Sequence, residues 1–208
     1  MKNFVICIGR EFGSGGHRVG RLLAEELGVP CYDRHLIEEA EACSGYDRKE
    51  LEDADEMKAN PFLFKVPAKS NPFTGYGKPM NDTLFAIQSK LIKDYAEKGS
   101  CVIVGRCADR VLEGYEGRIS LFIYAPVSAR IEEIKKRYNT DEEEARYLVK
   151  QADKIRKQYY TYYTKKAWGT RESYDLMIDS SRFTDAEMAA MIRALLEERL
   201  SDGKEKKN

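Results

Sequence analysis

The part of the sequence best suited to chemistry is a glycine-rich stretch, residues 9–18, that directly follows a short apolar run. Four of the eight residues from 9 to 16 are glycine. Glycine lets the chain turn tightly enough for successive N–H groups to point into one concavity, and a following helix adds its positive N-terminal end. A phosphate group suits such a concavity. The stretch therefore predicts a strand, a phosphate-binding loop and a helix.

The stretch departs from the common phosphate-binding loop, G-x-x-x-x-G-K-[ST], at two positions. That loop supplies a lysine for the β- and γ-phosphates and a hydroxyl for magnesium. If Gly15 is the second glycine, Gly16 takes the position of the lysine and His17 that of the hydroxyl. Two other interpretations stay open. One is a glycine-rich turn without a ligand; the other is a dinucleotide-binding loop with Asp33 on the ribose, although Arg18 stands where its third glycine belongs.

Charged residues also follow the second and third predicted strands. Asp33 and Arg34 come after a short second strand, and Arg106 and Asp109 come after a third. In open α/β sheets the carboxyl ends of the strands border a ligand crevice, so we expect these side chains to meet a substrate. A guanidinium such as that of Arg106 matches phosphate geometry. Structural roles remain open, because Asp33 could cap the next helix and Arg106 could form an ordinary salt bridge.

A basic segment, residues 146–166, holds seven basic residues and one acid, Asp153. Helical spacing puts four of the basic residues on one face: Arg146, Lys150, Lys154 and Lys157. Such a face is either a solvated surface or a lid that grips phosphate. The neighbouring tyrosines would also permit stacking on nucleic acid bases. Because the whole chain balances 35 basic against 35 acidic residues, we expect no nucleic acid partner.

The elements that must position these residues are short apolar runs alternating with helical patterns. Nearly continuous apolar runs are typical of parallel strands buried on both faces; they occupy residues 3–8, 29–32, 100–104, 118–124 and 174–178. Helical spacing of apolar residues follows most of these runs. Thr184, with Glu187 three residues later, forms a capping box that predicts the start of the last helix. The alternation predicts an α/β fold with a parallel sheet.

Length and composition narrow the class of protein. The 208 residues suit one domain. No apolar run approaches the roughly 20 residues of a membrane span, and no signal-peptide core precedes Arg10, so we expect a cytoplasmic protein without a membrane partner. The five cysteines lack C-x-x-C spacing and predict neither a metal site nor a disulfide framework. Cys7 and Cys101 lie in apolar runs and are predicted to be small core residues.

The chain resembles the nucleoside monophosphate kinases and, more closely, the cytidylate kinase-like family. The matching segments are IGREFGSGG (8–16), LAEELG (23–28), YD (32–33), VGRCAD (104–109), AP (125–126), DKIR (153–156) and YDLMIDS (174–180). The resemblance implies a three-layer α/β/α P-loop fold with a five-stranded parallel sheet. It divides a single domain into a core (1–33, 84–140, 172–200), a helical insertion like those that bind nucleoside monophosphates (about 34–83), and a lid (about 141–171).

The activity implied by the resemblance is ATP-dependent phosphoryl transfer to a small acceptor, CMP or another nucleoside monophosphate, with ATP and Mg²⁺. The implied donor-binding residues are Arg10, Gly13, Ser14, Gly15, Gly16, His17 and Arg18. Of the two arginines that could replace the missing lysine, Arg18 is preferred because it begins the helix. Ser14 would offer its hydroxyl to the metal.

The residues that the resemblance places at the acceptor are Asp33, Arg34, Arg106 and Asp109, and those it makes catalytic are Arg18, Arg106, Arg146 and Arg156. The loop lacks its lysine and its hydroxyl. Val104 and Cys107 also stand where cytidylate kinases carry aspartates. A second hypothesis therefore stays open, that of a nucleotide-binding regulatory or interaction protein without kinase activity. A homodimer is compatible with either hypothesis.

Overall fold

The computed structural model describes residues 3–33 and 80–205. Arg34 and nearly all of the predicted insertion lie outside these residues. The described chain contains one sheet of five parallel strands: β1 (Val5–Arg10), β2 (Cys31–Tyr32), β3 (Cys101–Val104), β4 (Arg118–Tyr124) and β5 (Leu176–Asp179). Their order across the sheet is β2-β3-β1-β4-β5. The predicted fold class, a five-stranded parallel sheet in an α/β protein, is confirmed.

Helices cover both faces of the sheet. In chain order they are α1 (Gly16–Leu27), α2 (Met80–Lys98), α3 (Ala108–Val111), α4 (Val127–Tyr138), α5 (Glu142–Thr164) and α6 (Asp185–Glu205). Helices α1 and α6 pack against one face, which includes Ile6 and Ile8, and α2 and α3 pack against the other, which includes Val5 and Cys7. Alternate residues of β1 thus enter opposite cores, which explains why its sequence is almost continuously apolar.

The central strand β1 extends two residues beyond its predicted end. Gly9 and Arg10 continue the pairing with β4, opposite Phe122 and Ile123. Neither a glycine nor an arginine signals a strand, so the apolar pattern stops too early. The extension matters because it places Arg10 at the carboxyl end of the central strand, directly before the glycine-rich loop.

Helix α1 is held close to the sheet and ends at a glycine, Gly28. Val19 and Leu23 are fully buried, and a Cβ on Gly20 would lie 2.8 Å from Cγ2 of Val104. Gly28 adopts a left-handed conformation with φ 64° and donates its N–H to carbonyls one turn back, which is the usual glycine ending of a helix. The loop before α1 is therefore anchored to a rigid element.

The segment predicted as a lid is largely the single 23-residue helix α5. Asp141 caps it by accepting a hydrogen bond from the Glu144 amide at 2.8 Å. Its apolar face, including Leu148 and Val149, packs against α4 and Phe12. The predicted basic face is exposed to solvent along its length at Arg146, Lys150, Lys154 and Lys157. The helix therefore turns its apolar side, not its basic stripe, toward the body of the protein.

The capping box before α6 forms as predicted. The Thr184 amide donates to the Glu187 carboxylate at 2.7 Å, and the Glu187 amide donates to the Thr184 hydroxyl at 3.2 Å. We expect Thr184→Ala to lower the free energy of unfolding by about 1 kcal/mol, because an N-terminal amide of the helix loses its acceptor. Urea denaturation measures this change. Thr184→Ser, which keeps the hydroxyl, should retain most of the stability, and an equal loss in both variants would contradict the capping role.

The prediction that Cys7 and Cys101 are core residues is confirmed. Cys7 and Cys101 are buried in the core, and the described cysteines are free thiols. Among the described residues, no cluster of three or more histidine, cysteine, aspartate or glutamate side chains could hold a metal ion. No helix in the described part of the chain is long and apolar enough to cross a membrane.

Candidate functional site

The glycine-rich loop forms an open cradle of amides at the start of α1. Gly13 and Gly15 have φ values of 83° and 81°, a conformation that favours glycine. Within the described parts of the chain, the amides of Gly13, Gly15, Gly16 and His17 donate no hydrogen bond to a protein group. Only the Ser14 amide bonds inside the loop, to the Glu11 carbonyl at 3.4 Å. Amides grouped in this way at a helix N-terminus can bind an anion such as phosphate.

Ser14 is turned into the loop. Its hydroxyl lies 2.9 Å from the carbonyl oxygens of both Glu11 and Ile123, and the residue is buried. Because a hydroxyl has one hydrogen, it donates to one of these carbonyls or shares the bond between them. The contact ties the loop to β4. The role of Ser14 as a magnesium ligand stays a prediction.

A buried charged brace holds the first half of the loop. Asp153 of α5 accepts a hydrogen bond from the Phe12 amide at 2.8 Å and forms an ion pair with Arg130 of α4. Arg130 also donates to the carbonyls of Phe12 and Ala125, at 3.2 and 3.0 Å, and lies 3.2 Å from the Glu11 carboxylate. Burial raises the pKa of Glu11. The hydrogen bond from the Ala125 amide and the charge of Arg130 act in the opposite direction but do not outweigh burial. The brace fixes the loop between α4 and α5.

Sequence reasoning gave neither member of this brace a role in the loop. Asp153 is visible as the single acid of the basic segment, and its position within the family-like DKIR segment is a signal that could have marked it. Arg130 follows a proline-initiated helix start and looks like any exposed helical arginine. Only the tertiary structure shows that its side chain is 5% exposed.

Arg10 extends from the end of β1 into the space beside β3. Its guanidinium lies 3.8 Å from the Asp33 carboxylate, and its side chain is 9% exposed. A Cβ on Gly105, the residue after β3, would collide with this guanidinium. Gly105 therefore makes room for Arg10 at the point where the ends of β1 and β3 adjoin.

Asp33 lies within reach of several cationic groups. His17 Nδ1 lies 2.7 Å from one of its oxygens, and Arg10 approaches the other. Burial alone would raise the pKa of Asp33, but the hydrogen bond from His17 and the charges of Arg10 and Arg106 outweigh it and lower the pKa to about 2. Asp33 is therefore ionised at neutral pH and links the loop helix α1 to the end of β2.

The stability of the protein should depend on this carboxylate in a defined pH range. Because the folded-state pKa of Asp33, about 2, lies below its ordinary value of 3.8, ionised Asp33 stabilises the folded state above about pH 4, and this contribution is lost as the pH falls through about 2. We expect Asp33→Asn to lower the free energy of unfolding by about 2 kcal/mol at about pH 6. Urea denaturation at about pH 2.5 should show less than half that difference; equal differences would contradict the linkage.

The turn after β3 is strained and carries a buried arginine. Gly105, Arg106 and Cys107 all have positive φ values, of 82°, 59° and 53°. A left-handed conformation costs about 1 kcal/mol or more for a residue other than glycine, and such strain persists where the surrounding structure enforces it. Arg106 is only 2% exposed. Arg106 lines the same narrow cavity as Arg10 and Arg156.

Asp109 closes one wall of this cavity. It accepts a hydrogen bond from the Tyr160 hydroxyl at 2.7 Å, which links α3 to the end of α5. Burial raises the pKa of Asp109 above its ordinary value, although the Tyr160 hydrogen bond and Arg118 act in the opposite direction. Burial likewise raises the pKa of Tyr160, together with the charge of Asp109. Asp109 thus holds the cavity in shape and borders it.

The two arginines predicted for the lid occupy different places. Arg156 donates to the backbone carbonyl of Arg10 at 3.2 Å and lies over the Phe12 ring, 5.5 Å from its centroid. Arg146 lies on the exposed face of α5 and pairs with Glu142 at 2.7 Å. The structure therefore brings Arg156 to the carboxyl ends of the strands and leaves Arg146 at the surface.

A second cavity, of about 350 Å³, opens on the other side of the loop. Gly13, Ser14 and Arg18 line its inner end, and Phe183 lines its rim, where the residue is 41% exposed. Arg18 is held here by Asp185 of α6 at 2.8 Å and by Glu133 of α4 at 2.5 Å. These carboxylates, with the hydrogen bond to Asp185 first, raise the pKa of Arg18. Its Nη2 lies 3.0 Å from the position that a Cβ on Gly15 would take.

The model of the cytidylate kinase-like family matches residues 5–182. The chain belongs to the cytidylate kinase-like family. The family prediction is confirmed, and the chain is accordingly a kinase-like phosphotransferase that uses a nucleotide.

Individual relatives agree with this assignment. A cytidylate kinase of Methanopyrus kandleri is 26% identical over 206 residues, which are 93% of each chain. The crystal structure of an uncharacterized protein from Eubacterium ventriosum is similar with a TM-score of 0.71 and 29% identity, covering 93% of this chain and 98% of that one. A gluconokinase from Sinorhizobium meliloti shares the fold, with a TM-score of 0.59 and 14% identity over 100% of this chain and 99% of its own.

Proposed function

We propose that this protein transfers the γ-phosphoryl group of ATP to a nucleoside monophosphate, with CMP as the first acceptor to test. The observation that carries the proposal is that a loop with open amides directly follows Arg10, and that Arg10, Arg106 and Arg156 line one narrow cavity at the carboxyl ends of β1 and β3. Phosphoryl transfer depends chiefly on positioning and on neutralising charge, which amides and guanidinium groups provide.

The reaction needs no general base from the chain. The second pKa of a phosphate monoester is about 6, so the attacking oxygen of a nucleoside monophosphate is already ionised at neutral pH. A bond forms between that oxygen and the γ-phosphorus, while the bond from the γ-phosphorus to the bridging oxygen breaks and ADP leaves with the electron pair. The residues proposed here hold the two phosphate groups in line and neutralise their charge.

We assign the donor phosphates to the amides of residues 13–17 and the acceptor phosphate to Arg106. Arg18, fixed by Asp185 and Glu133, would present its remaining Nη2 above Gly15 on the donor side. Arg156 lies at the start of the loop, where it donates to the Arg10 carbonyl and lies over the Phe12 ring. Arg146 lies on the exposed face of α5, and its catalytic role stays a prediction.

Among the described residues no group of three or more histidine, cysteine, aspartate or glutamate side chains could hold a metal ion, and the Ser14 hydroxyl is turned toward backbone carbonyls. We therefore expect Mg²⁺ to enter with the nucleotide. We expect the protein to act in the cytoplasm on small nucleotides.

A panel of nucleoside monophosphates, incubated with ATP and Mg²⁺ and followed by ADP release, tests the proposal. We expect phosphorylation of at least one member, with CMP among the best. Calorimetric titration with ATP in the same preparation separates the alternatives. Tight ATP binding without turnover on any acceptor would overturn the kinase proposal in favour of a regulatory nucleotide-binding protein.

A further inference from the structure

Relative to the pattern G-x-x-x-x-G-K-[ST], aligned on Gly15, two positions of this loop carry each other's residue type. Arg10 stands at the first glycine of that pattern, and Gly16 stands at the lysine. The long cation and the small residue have therefore changed places. Sequence alone cannot show whether this is a loss of the lysine or a relocation of its charge.

The structure places these two positions in contact. A Cβ on Gly16 would lie 2.6 Å from Cβ of Arg10 and 3.1 Å from its Cγ. Carbon atoms do not approach so closely without displacement, so the stem of Arg10 fills the space that the stem of a lysine at position 16 would need. Gly16 does not have a positive φ, unlike Gly13 and Gly15. Its backbone therefore does not require glycine, and the contact with Arg10 explains why one is present.

The charged end of Arg10 reaches the carboxyl end of β3. The guanidinium lies against Gly105 at the end of β3, and it shares a cavity with Arg106 and Arg156. The loop with its open amides follows Arg10 directly, and Asp33 lies between the Arg10 guanidinium, at 3.8 Å, and Nδ1 of His17 in the first turn of α1, at 2.7 Å. A guanidinium can bind two phosphate oxygens at once, whereas a lysine ammonium acts as a point charge.

We propose that Arg10 supplies, from the end of β1, the phosphate-binding cation that related loops carry on the first helical residue, and that Gly16 is glycine because the stem of Arg10 occupies its side-chain space. The inference rests on the proposed binding of donor phosphates to the loop. It selects Arg10, not Arg18, as the replacement for the lysine. Arg18 instead anchors the opposite wall through α4 and α6.

Reciprocal substitution tests the exchange. The readout is the dissociation constant for ATP by calorimetry, with inorganic tripolyphosphate as a second probe without a base. We expect Arg10→Gly to weaken ATP binding by at least about tenfold, the loss of one charged hydrogen bond. Gly16→Ala should weaken ATP binding in the natural chain. When it is combined with Arg10→Gly, it should weaken ATP binding little further. The double variant Arg10→Gly/Gly16→Lys should recover at least about tenfold over Arg10→Gly alone.

Either of two results would overturn the inference. One is that Arg10→Gly/Gly16→Lys binds ATP no better than Arg10→Gly alone. The other is that Gly16→Ala binds ATP as tightly as the natural chain does. Should Arg10→Gly not fold by circular dichroism, Arg10→Met and Arg10→Lys form the test. Both keep the stem over Gly16, so only Arg10→Met should lose affinity; equal affinities would contradict the proposal. Arg193→Gln, on the outer face of α6, is the matched control and should bind ATP normally.

The outcome is separable from that of the proposed reaction. ATP affinity can be measured without turnover. A protein that binds ATP through Arg10 but phosphorylates no acceptor would therefore contradict only the kinase proposal. A protein with kinase activity whose ATP affinity and kcat do not change in Arg10→Met would contradict only the role proposed for Arg10. A natural chain that binds neither ATP nor tripolyphosphate would overturn both.

Discussion

Replacing Arg106 by glycine is expected to lower kcat/KM for phosphoryl transfer by roughly 10³- to 10⁵-fold, the range found for arginines that neutralise charge in this chemistry. The free energy of unfolding should change by less than about 1 kcal/mol, because the loss of packing is offset by relief of the left-handed φ of 59°. Asp33 keeps His17 and Arg10 as partners. Activity and stability should therefore separate at this residue.

The measurements are steady-state kinetics and urea denaturation on the same preparations. Arg106→Lys is the matched variant: it keeps both a positive charge and the strained conformation, so its stability should not gain from relief of strain, and its activity should fall less than that of the glycine variant. A glycine variant that is both active and destabilised would mean that Arg106 serves the fold and not the reaction. Such a result would contradict the assignment of the acceptor phosphate to Arg106.

The sheet was predictable because its strands carry their own signal. Buried parallel strands such as β4 are apolar through most of their length, and its observed bounds, Arg118–Tyr124, agree with the predicted run. The capping box at Thr184 is equally local and is also confirmed. Features written into adjacent residues can be predicted from sequence, since the physical interaction that produces them spans only a few positions.

The charged side chains were harder to place, because tertiary contacts decide their roles. Arg10 and Arg18 are equally basic and flank the same loop, yet one is buried beside Gly105 and the other bridges Glu133 and Asp185. Their partners lie on distant segments of the chain. Arg18 was preferred as the replacement for the lysine because it lies at the start of the helix. That position does not reveal which groups its guanidinium contacts. The predicted role of Arg34 falls outside the described residues.

The basic segment shows the same limit in a single helix. The periodicity of α5 correctly grouped Arg146, Lys150, Lys154 and Lys157 on one face, and that face is exposed. The contacts to the loop come from another side of the helix, through Asp153 and Arg156. The number of basic residues drew attention to the exposed basic face of α5. Asp153, the single acid of the segment, is expected to have the larger effect on the free energy of unfolding because it is less exposed. A buried charge among solvated ones cannot be recognised from spacing alone.

Asp153→Ala is expected to lower the free energy of unfolding by about 3–5 kcal/mol, because it leaves the Arg130 guanidinium buried without its main counter-charge and removes the acceptor of the Phe12 amide. Arg130 is 5% exposed and Asp153 is 18% exposed. The same change should weaken ATP binding, since the first half of the loop loses its attachment to α5. Urea denaturation at about pH 7 and calorimetric titration with ATP measure the two effects.

Glu142→Ala on the same helix provides the matched control for this prediction. Glu142 also pairs with an arginine, Arg146, at 2.7 Å, but both side chains are 60% exposed. An exposed pair of this kind contributes at most about 1 kcal/mol, so Glu142→Ala should leave both stability and ATP affinity nearly unchanged. Similar losses in the two variants would show that helix α5 is stabilised generally by its charges. A loss confined to Asp153 would instead show that α5 and the phosphate-binding loop are held as one unit by the buried brace.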